Sequence, residues 1–488
     1  MILIMSTSPT SIQPLKSPLH WSSLIQFVLS ALVGFLLLSV AVVITLTSLA
    51  QYFTSGPGSS DPTQSLMVAA SLAFVGVLVL PSAWYALRYI ARPEIEPVYR
   101  PKRRNFGLIL TIVVIVLVGG ALLLGNWASQ NSRLAWLLLP PLNIISTGLP
   151  TLWVVYIGTR GLLPRLPKRS WGVFASGLVL SPAIILILEL ILLIGMGILA
   201  LLWIMLDPSL SNQLNGLVFR LENAGLNPDA ILNIMLPFLL NPGVLFILFS
   251  FIAVLVPMIE ETFKPIGVWF LAGQKITPAQ GFGYGVISGA GFALFENLGN
   301  TSCGGEAWAL VAGSRISTLL LHCFTAGLVG WGLASAWSQR RYLRLALTYA
   351  IAVLVHGFWN GLAVLSAASS LQGMTNIPLP ASLQQVGAFA SVGILVLGVV
   401  VFILFVSFNS ILRRNMAAMP PPSNGDSQPL YPTGEASQLS SVIELSLPTA
   451  DINSSFPIPP NNNPTIPESN SQLQLAGENP STTPETNT

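Results

Sequence analysis

The sequence predicts an all-α polytopic membrane protein with about ten transmembrane helices, N and C termini cytoplasmic, and a disordered C-terminal tail. Three observations predict it. Of the 488 residues, 52% are apolar and 8% charged, against about 25% charged in a soluble globular chain. Ten apolar stretches have the length needed to cross a hydrocarbon core, roughly 20 residues for about 30 Å. Lys and Arg collect on alternate connections between those stretches, as cytoplasmic loops do.

In chain order the spans are expected at 24–50, 66–91, 106–126, 134–158, 171–205, 240–271, 279–299, 309–337, 343–368 and 384–412. The first ends in Ser48-Leu49-Ala50, which imitates a signal-peptide cleavage site. Its apolar run is about twice as long as a signal core of roughly 7–15 residues, so it reads as a retained span. Spans five and six are long enough to tilt, kink or hold a re-entrant piece.

The basic residues count the spans independently. The 92–105 connection carries Arg92, Arg100, Lys102, Arg103 and Arg104, and the 159–170 connection carries Arg160, Arg165, Lys168 and Arg169. Lys275, then Arg340, Arg341 and Arg344, then Arg413 and Arg414 continue the alternation, while the opposite connections hold Arg133 and Arg220. A formal charge of +3 points to no nucleic-acid partner. Two cysteines, Cys303 and Cys323, exclude a disulfide framework and a thiolate zinc cluster. Residues 415–488 hold seven acidic residues and no Lys or Arg, and are rich in Pro, Ser, Asn and Thr. Such a segment buries too little apolar surface to offset its ordering entropy. The organisation that follows is a short cytoplasmic N-terminus (1–23), helices one to five with an outer loop (24–235), a core of helices six to nine (236–370), the last helix (371–414) and the acidic cytoplasmic tail (415–488).

Ionisable groups inside spans are costly and mark candidate sites. Span six holds Glu260, Glu261 and Lys264 behind Pro257, span seven Glu296, span eight His322, and span nine His356 and Asn360. Measured from the cytoplasmic ends at 1.5 Å per residue, Glu260 lies about 22 Å deep, Glu296 and His322 about 27 Å, and His356 and Asn360 about 18 and 24 Å. Groups on four helices can meet only at a shared depth. His356 and Asn360 are i,i+4 neighbours, and Lys264 can pair with Glu260 or Glu261. Pro257 should free a carbonyl and kink its helix. Gly281, Gly285 and Gly289 form a stripe for close packing, and Glu296 continues that face into the bundle. Each feature also has a structural reading: an ion pair joining helices, a hydrogen-bonded packing histidine, Glu189 in span five as a structural residue, Cys323 as core, and Arg315 as an interface anchor or a neutraliser of Glu306. Those readings leave the shared depth unexplained.

Two imidazoles and a carboxylate suit zinc with one position open to water. A further glutamate can serve as general base and then acid, and Asn360 can donate to a developing oxyanion. In this order and span placement, Glu260-Glu261-x-x-Lys264, Phe295-Glu296, His322 and His356-x-x-x-Asn360 resemble the PrsW-type intramembrane proteases, relatives of the CAAX prenyl endopeptidase and bacteriocin-processing superfamily. The resemblance covers roughly residues 240–365. Where the family often has an aromatic residue four positions after the glutamate of its Phe-Glu motif, this chain has Asn300. The resemblance implies a zinc-dependent peptidase in a prokaryotic cell membrane, acting on single-span membrane proteins such as anti-sigma factors. It makes Glu260 and Glu261 the catalytic acidic pair and Glu296, His322 and His356 the metal-site candidates, with Asn360 as support. Two other classes fit the same residues: a proton- or ion-coupled transporter using the buried Glu/His cluster as a relay, and a silent homologue that binds membrane partners.

Overall fold

The computed structural model describes residues 21–54, 61–91, 107–164, 166–206, 208–225, 230–231, 233–235, 242–370 and 381–417. Among these no strand occurs. The expected tail lies outside the described residues except for its first three, which complete the last helix. The first four helices are α1 (Trp21–Thr54), α2 (Thr63–Ala91), α3 (Gly107–Ser129) and α4 (Ser132–Thr159). Span five is α5 (Pro167–Ala175), a π turn (Ser176–Leu180) and α6 (Ser181–Leu206), followed by α7 (Pro208–Ala224). Span six is α8 (Pro242–Ser250), a second π turn (Phe251–Leu255), α9 (Val256–Phe263) and the short α10 (Ile266–Trp269). Then come α11 (Pro278–Ser302), α12 (Trp308–Gln339), α13 (Tyr342–Ser370) and α14 (Ala381–Ala417).

Among the described residues nine helices are long and apolar enough to span a membrane, and these match nine of the ten expected spans. The tenth expectation, 279–299, is the 25-residue helix α11, which is not among the nine. The reason is physical. Every residue from Gly281 to Leu294 is buried, so α11 meets protein rather than lipid and can be built from Gly, Ala and Ser.

Local chemistry starts α11 cleanly. Thr277 caps it, with its side chain accepting from the Gln280 N–H while the Gln280 side chain accepts from the Thr277 N–H, and Pro278 occupies the first turn. The Gly281, Gly285 and Gly289 stripe then lies against α12. A Cβ at these positions would strike the carbonyl oxygens of Gly330, Ala326 and His322 respectively. The backbone of His322 is thereby held against α11. On the opposite side of the helix, Gly291 meets the backbone of Gly177 and Leu178 in the span-five π turn. An apolar cluster including Val154, Phe282, Leu321, Phe324, Trp359 and Phe405 fastens α4, α11, α12, α13 and α14 around this centre.

Span six follows the proline logic. At the end of its π turn the Val256 N–H bonds Phe251 O. The next residue, Pro257, has no N–H to continue the register, which releases the Ile252 carbonyl. Asn360 Nδ2 of α13 donates to that oxygen at 3.1 Å. Gly357, one turn before Asn360, lets α13 approach closely, because a Cβ there would strike the Ala253 carbonyl. Beyond α9, Ser288 Oγ donates to Lys264 O at 2.6 Å and accepts from the Gly267 N–H at 3.3 Å. These contacts fix the acidic segment between α11 and α13.

Candidate metal centre and catalytic cluster

Four helices bring six of the expected side chains, with Lys264, into one buried constellation or its immediate support. Glu260, His322 and His356 each offer a ligand atom, and these atoms lie within 4.8 Å of one another. Glu261 is wholly buried beside them, with His356 Nδ1 2.9 Å from its Oε1. Lys264 Nζ lies 2.7 Å from Glu260 Oε2 and 2.9 Å from Glu261 Oε1, so it serves both partners that its spacing allowed. It also lies 2.7 Å from His322 Nδ1. An ammonium can only donate, so His322 Nδ1 accepts and its proton sits on Nε2. The imidazoles of His322 and His356 meet edge to face with centroids 5.2 Å apart, and Phe292 closes the side of His322 at 5.3 Å.

Glu296 stands elsewhere than among the gathered ligands. Its Oε2 lies 2.8 Å from His322 Nε2, and its Oε1 lies 2.5 Å from Arg315 Nη2. It therefore sits behind His322, on the nitrogen turned away from Lys264, and the carboxylate in the candidate metal group is Glu260. Arg315 precedes His322 by seven residues, two turns on the same face of α12, which brings both to one carboxylate. Arg315 Nε also donates to Asn297 Oδ1 at 2.7 Å, and Asn297 Nδ2 returns a bond to Arg315 O at 3.2 Å. The expected pairing of Arg315 with Glu306 gives way to this arrangement. The two-turn spacing to His322 was the available signal.

Asn360 donates one of its two amide N–H groups to the Ile252 carbonyl, an oxygen that Pro257 makes an orphan one helix away. Glu189, read from the sequence as structural, lies on α6, which packs against α9, and its Oε1 is buried without a hydrogen-bond partner among the described residues. Cys323 is buried core, as expected.

The donors fit a divalent metal. Two imidazoles and a carboxylate converge, in the composition of an open zinc site. The Glu296 carboxylate behind His322 sets that ring's tautomer, as outer carboxylates do for metal-bound histidines. Counted as ionised, Glu260, Glu261 and Glu296 outnumber Lys264 and Arg315 by one, an excess that favours a further cation in a low-dielectric interior.

Fold and site together define a multi-pass membrane protein with a Glu/His cluster buried among its helices. Residues 171–406 match the family model described as PrsW family intramembrane metalloprotease, and over that stretch the chain is similar to this family of intramembrane proteases. No curated protein and no solved structure matches the chain. The match runs wider than the motif-bearing 240–365 stretch and takes in span five with its Glu189 and much of α14.

Proposed function

We propose that the chain is a zinc-dependent intramembrane endopeptidase that hydrolyses peptide bonds of membrane-embedded proteins. The convergence of Glu260, His322 and His356 within 4.8 Å, with Glu261 alongside, carries this reading. A divalent cation there would polarise the scissile carbonyl and lower the pKa of a water. Glu260, His322 and His356 would hold it. Glu261 Oε2 is buried and accepts no hydrogen bond among the described residues, so this oxygen is free to take a proton from the attacking water and pass it to the leaving amine. Glu261 Oε1 meanwhile orients His356 through Nδ1, and Glu296 orients His322. Asn360 ties α13 to span six through the Ile252 carbonyl. Shielding within the bundle strengthens each of these charges relative to water.

The substrates on this reading are single-span regulators of the anti-sigma type, in the cytoplasmic membrane of a prokaryote, with both termini of the enzyme on the cytoplasmic side. The test is zinc content and cleavage of a model transmembrane peptide by detergent-purified protein. About one zinc per chain, lost together with cleavage in a His322→Ala/His356→Ala variant, supports the proposal. Negligible zinc and no cleavage, with pH-gradient-driven flux in liposomes, would replace it with the transporter reading.

A further inference from the structure

The point on which the candidate ligands converge is held by a cation of the chain itself. Lys264 Nζ touches all three members of the group: Glu260 Oε2 at 2.7 Å, His322 Nδ1 at 2.7 Å and His356 Nδ1 at 3.2 Å. A fourth contact goes to Glu261 Oε1 at 2.9 Å. The side chain is wholly buried, and the Phe292 ring faces the ammonium with its centroid 5.0 Å away. Zinc binds nitrogen and oxygen donors at about 2.0–2.2 Å, so a metal on Glu260 Oε2 and His322 Nδ1 would collide with Nζ and meet its positive charge.

We propose that Lys264 and the divalent metal are alternative occupants of one site, so that metal enters only as the Lys264 ammonium withdraws. This rests on the metalloprotease reading above. The ammonium keeps Glu260 and Glu261 compensated before metal arrives, since unpaired carboxylates in a hydrocarbon-facing interior are costly. The withdrawn ammonium has an acceptor on the page. Glu189 Oε1 is buried without a hydrogen-bond partner among the described residues. Glu189 sits on α6, which packs against α9, the helix that ends at Lys264. Glu189 is thereby the waiting partner for the displaced lysine.

The experiment is metal binding by the 488-residue chain in detergent, with Co2+ followed by its absorption bands and zinc by equilibrium dialysis. If the lysine-out state is a minor one, removing the competitor should tighten binding by about tenfold or more, so Lys264→Met is expected to bind more tightly than the unsubstituted chain. Glu189→Gln is expected to weaken binding several-fold when Lys264 is present and to have no effect in the Lys264→Met background. The chain has five lysines, so a 15N-lysine spectrum can follow Nζ of Lys264 directly, and metal should shift that signal. A folded Lys264→Met variant that binds no more tightly overturns the proposal and leaves the metalloprotease reading standing. Should Lys264→Met fail to fold, an Nζ signal indifferent to bound metal overturns it equally. Absence of metal binding in every variant, Lys264→Met included, would overturn the metalloprotease reading itself.

Discussion

Spans five and six carry the same backbone device and put it to different uses. Each has a π turn, Ser176–Leu180 and Phe251–Leu255, followed two residues later by a proline, Pro182 and Pro257. In each the residue after the turn bonds back five residues, Ser181 N–H to Ser176 O and Val256 N–H to Phe251 O. Beyond the proline they part. Span six presents Glu260, Glu261 and Lys264 to two histidines across the bundle. Span five presents a single carboxylate, Glu189, on a helix whose Leu186, Ile187, Leu190 and Ile191 are all exposed. A π turn followed by a proline in a membrane helix is therefore no site by itself. Span six becomes one because α11, α12 and α13 supply charge compensation and opposing imidazoles, whereas span five supplies a lone acceptor at the margin.

The sharpest way to break this contrast is at the acids and histidines of span six and its neighbours. Glu261→Gln and His356→Ala are each expected to reduce cleavage of a transmembrane peptide by about 10²–10⁴-fold, with helical content and gel-filtration behaviour unchanged. Full activity in either folded variant would leave the two spans functionally equal. One layer out, Glu296→Gln and Arg315→Met should loosen metal binding by about 10–100-fold, read by dialysis against a zinc chelator. An unchanged affinity would mean that the carboxylate behind His322 only ties α11 to α12.

The backbone device itself comes next in size. Asn360→Ala should cost about 1–3 kcal/mol, since it strands the Ile252 carbonyl. In a Pro257→Ala background the restored N–H can serve that carbonyl, so the same substitution should cost less. The two effects are thus expected to be non-additive in thermal or denaturant unfolding; strict additivity would separate Asn360 from the proline. The smallest effect is expected in span five, where Glu189→Gln should change cleavage by less than about tenfold. A complete loss there would promote span five from margin to active site.

Much of this was legible in the chain before any coordinates. The Gly281, Gly285 and Gly289 stripe and the shared depth of Glu260, Glu296, His322 and His356 are local or periodic features, and the helices realise each of them. Pro257 announced a kink but not the residue that would answer it. The destination of the Asn360 amide depends on how closely α13 lies to the π turn, which Gly357 permits only in the assembled bundle. The role of Glu296 was likewise beyond spacing alone, because it turns on which nitrogen of His322 the carboxylate meets.

The spans and the depth of the ionisable groups follow from hydropathy and a rise of 1.5 Å per residue, quantities that a helix carries without its neighbours. Which carboxylate joins the two imidazoles, which one stands behind, and that Lys264 occupies their centre are matters of helix rotation and separation. Those are settled by packing between surfaces distant in sequence, Gly289 on His322 and Gly357 on Ala253. Such contacts leave little local trace, because a glycine at an interface and a glycine facing lipid look alike in the chain.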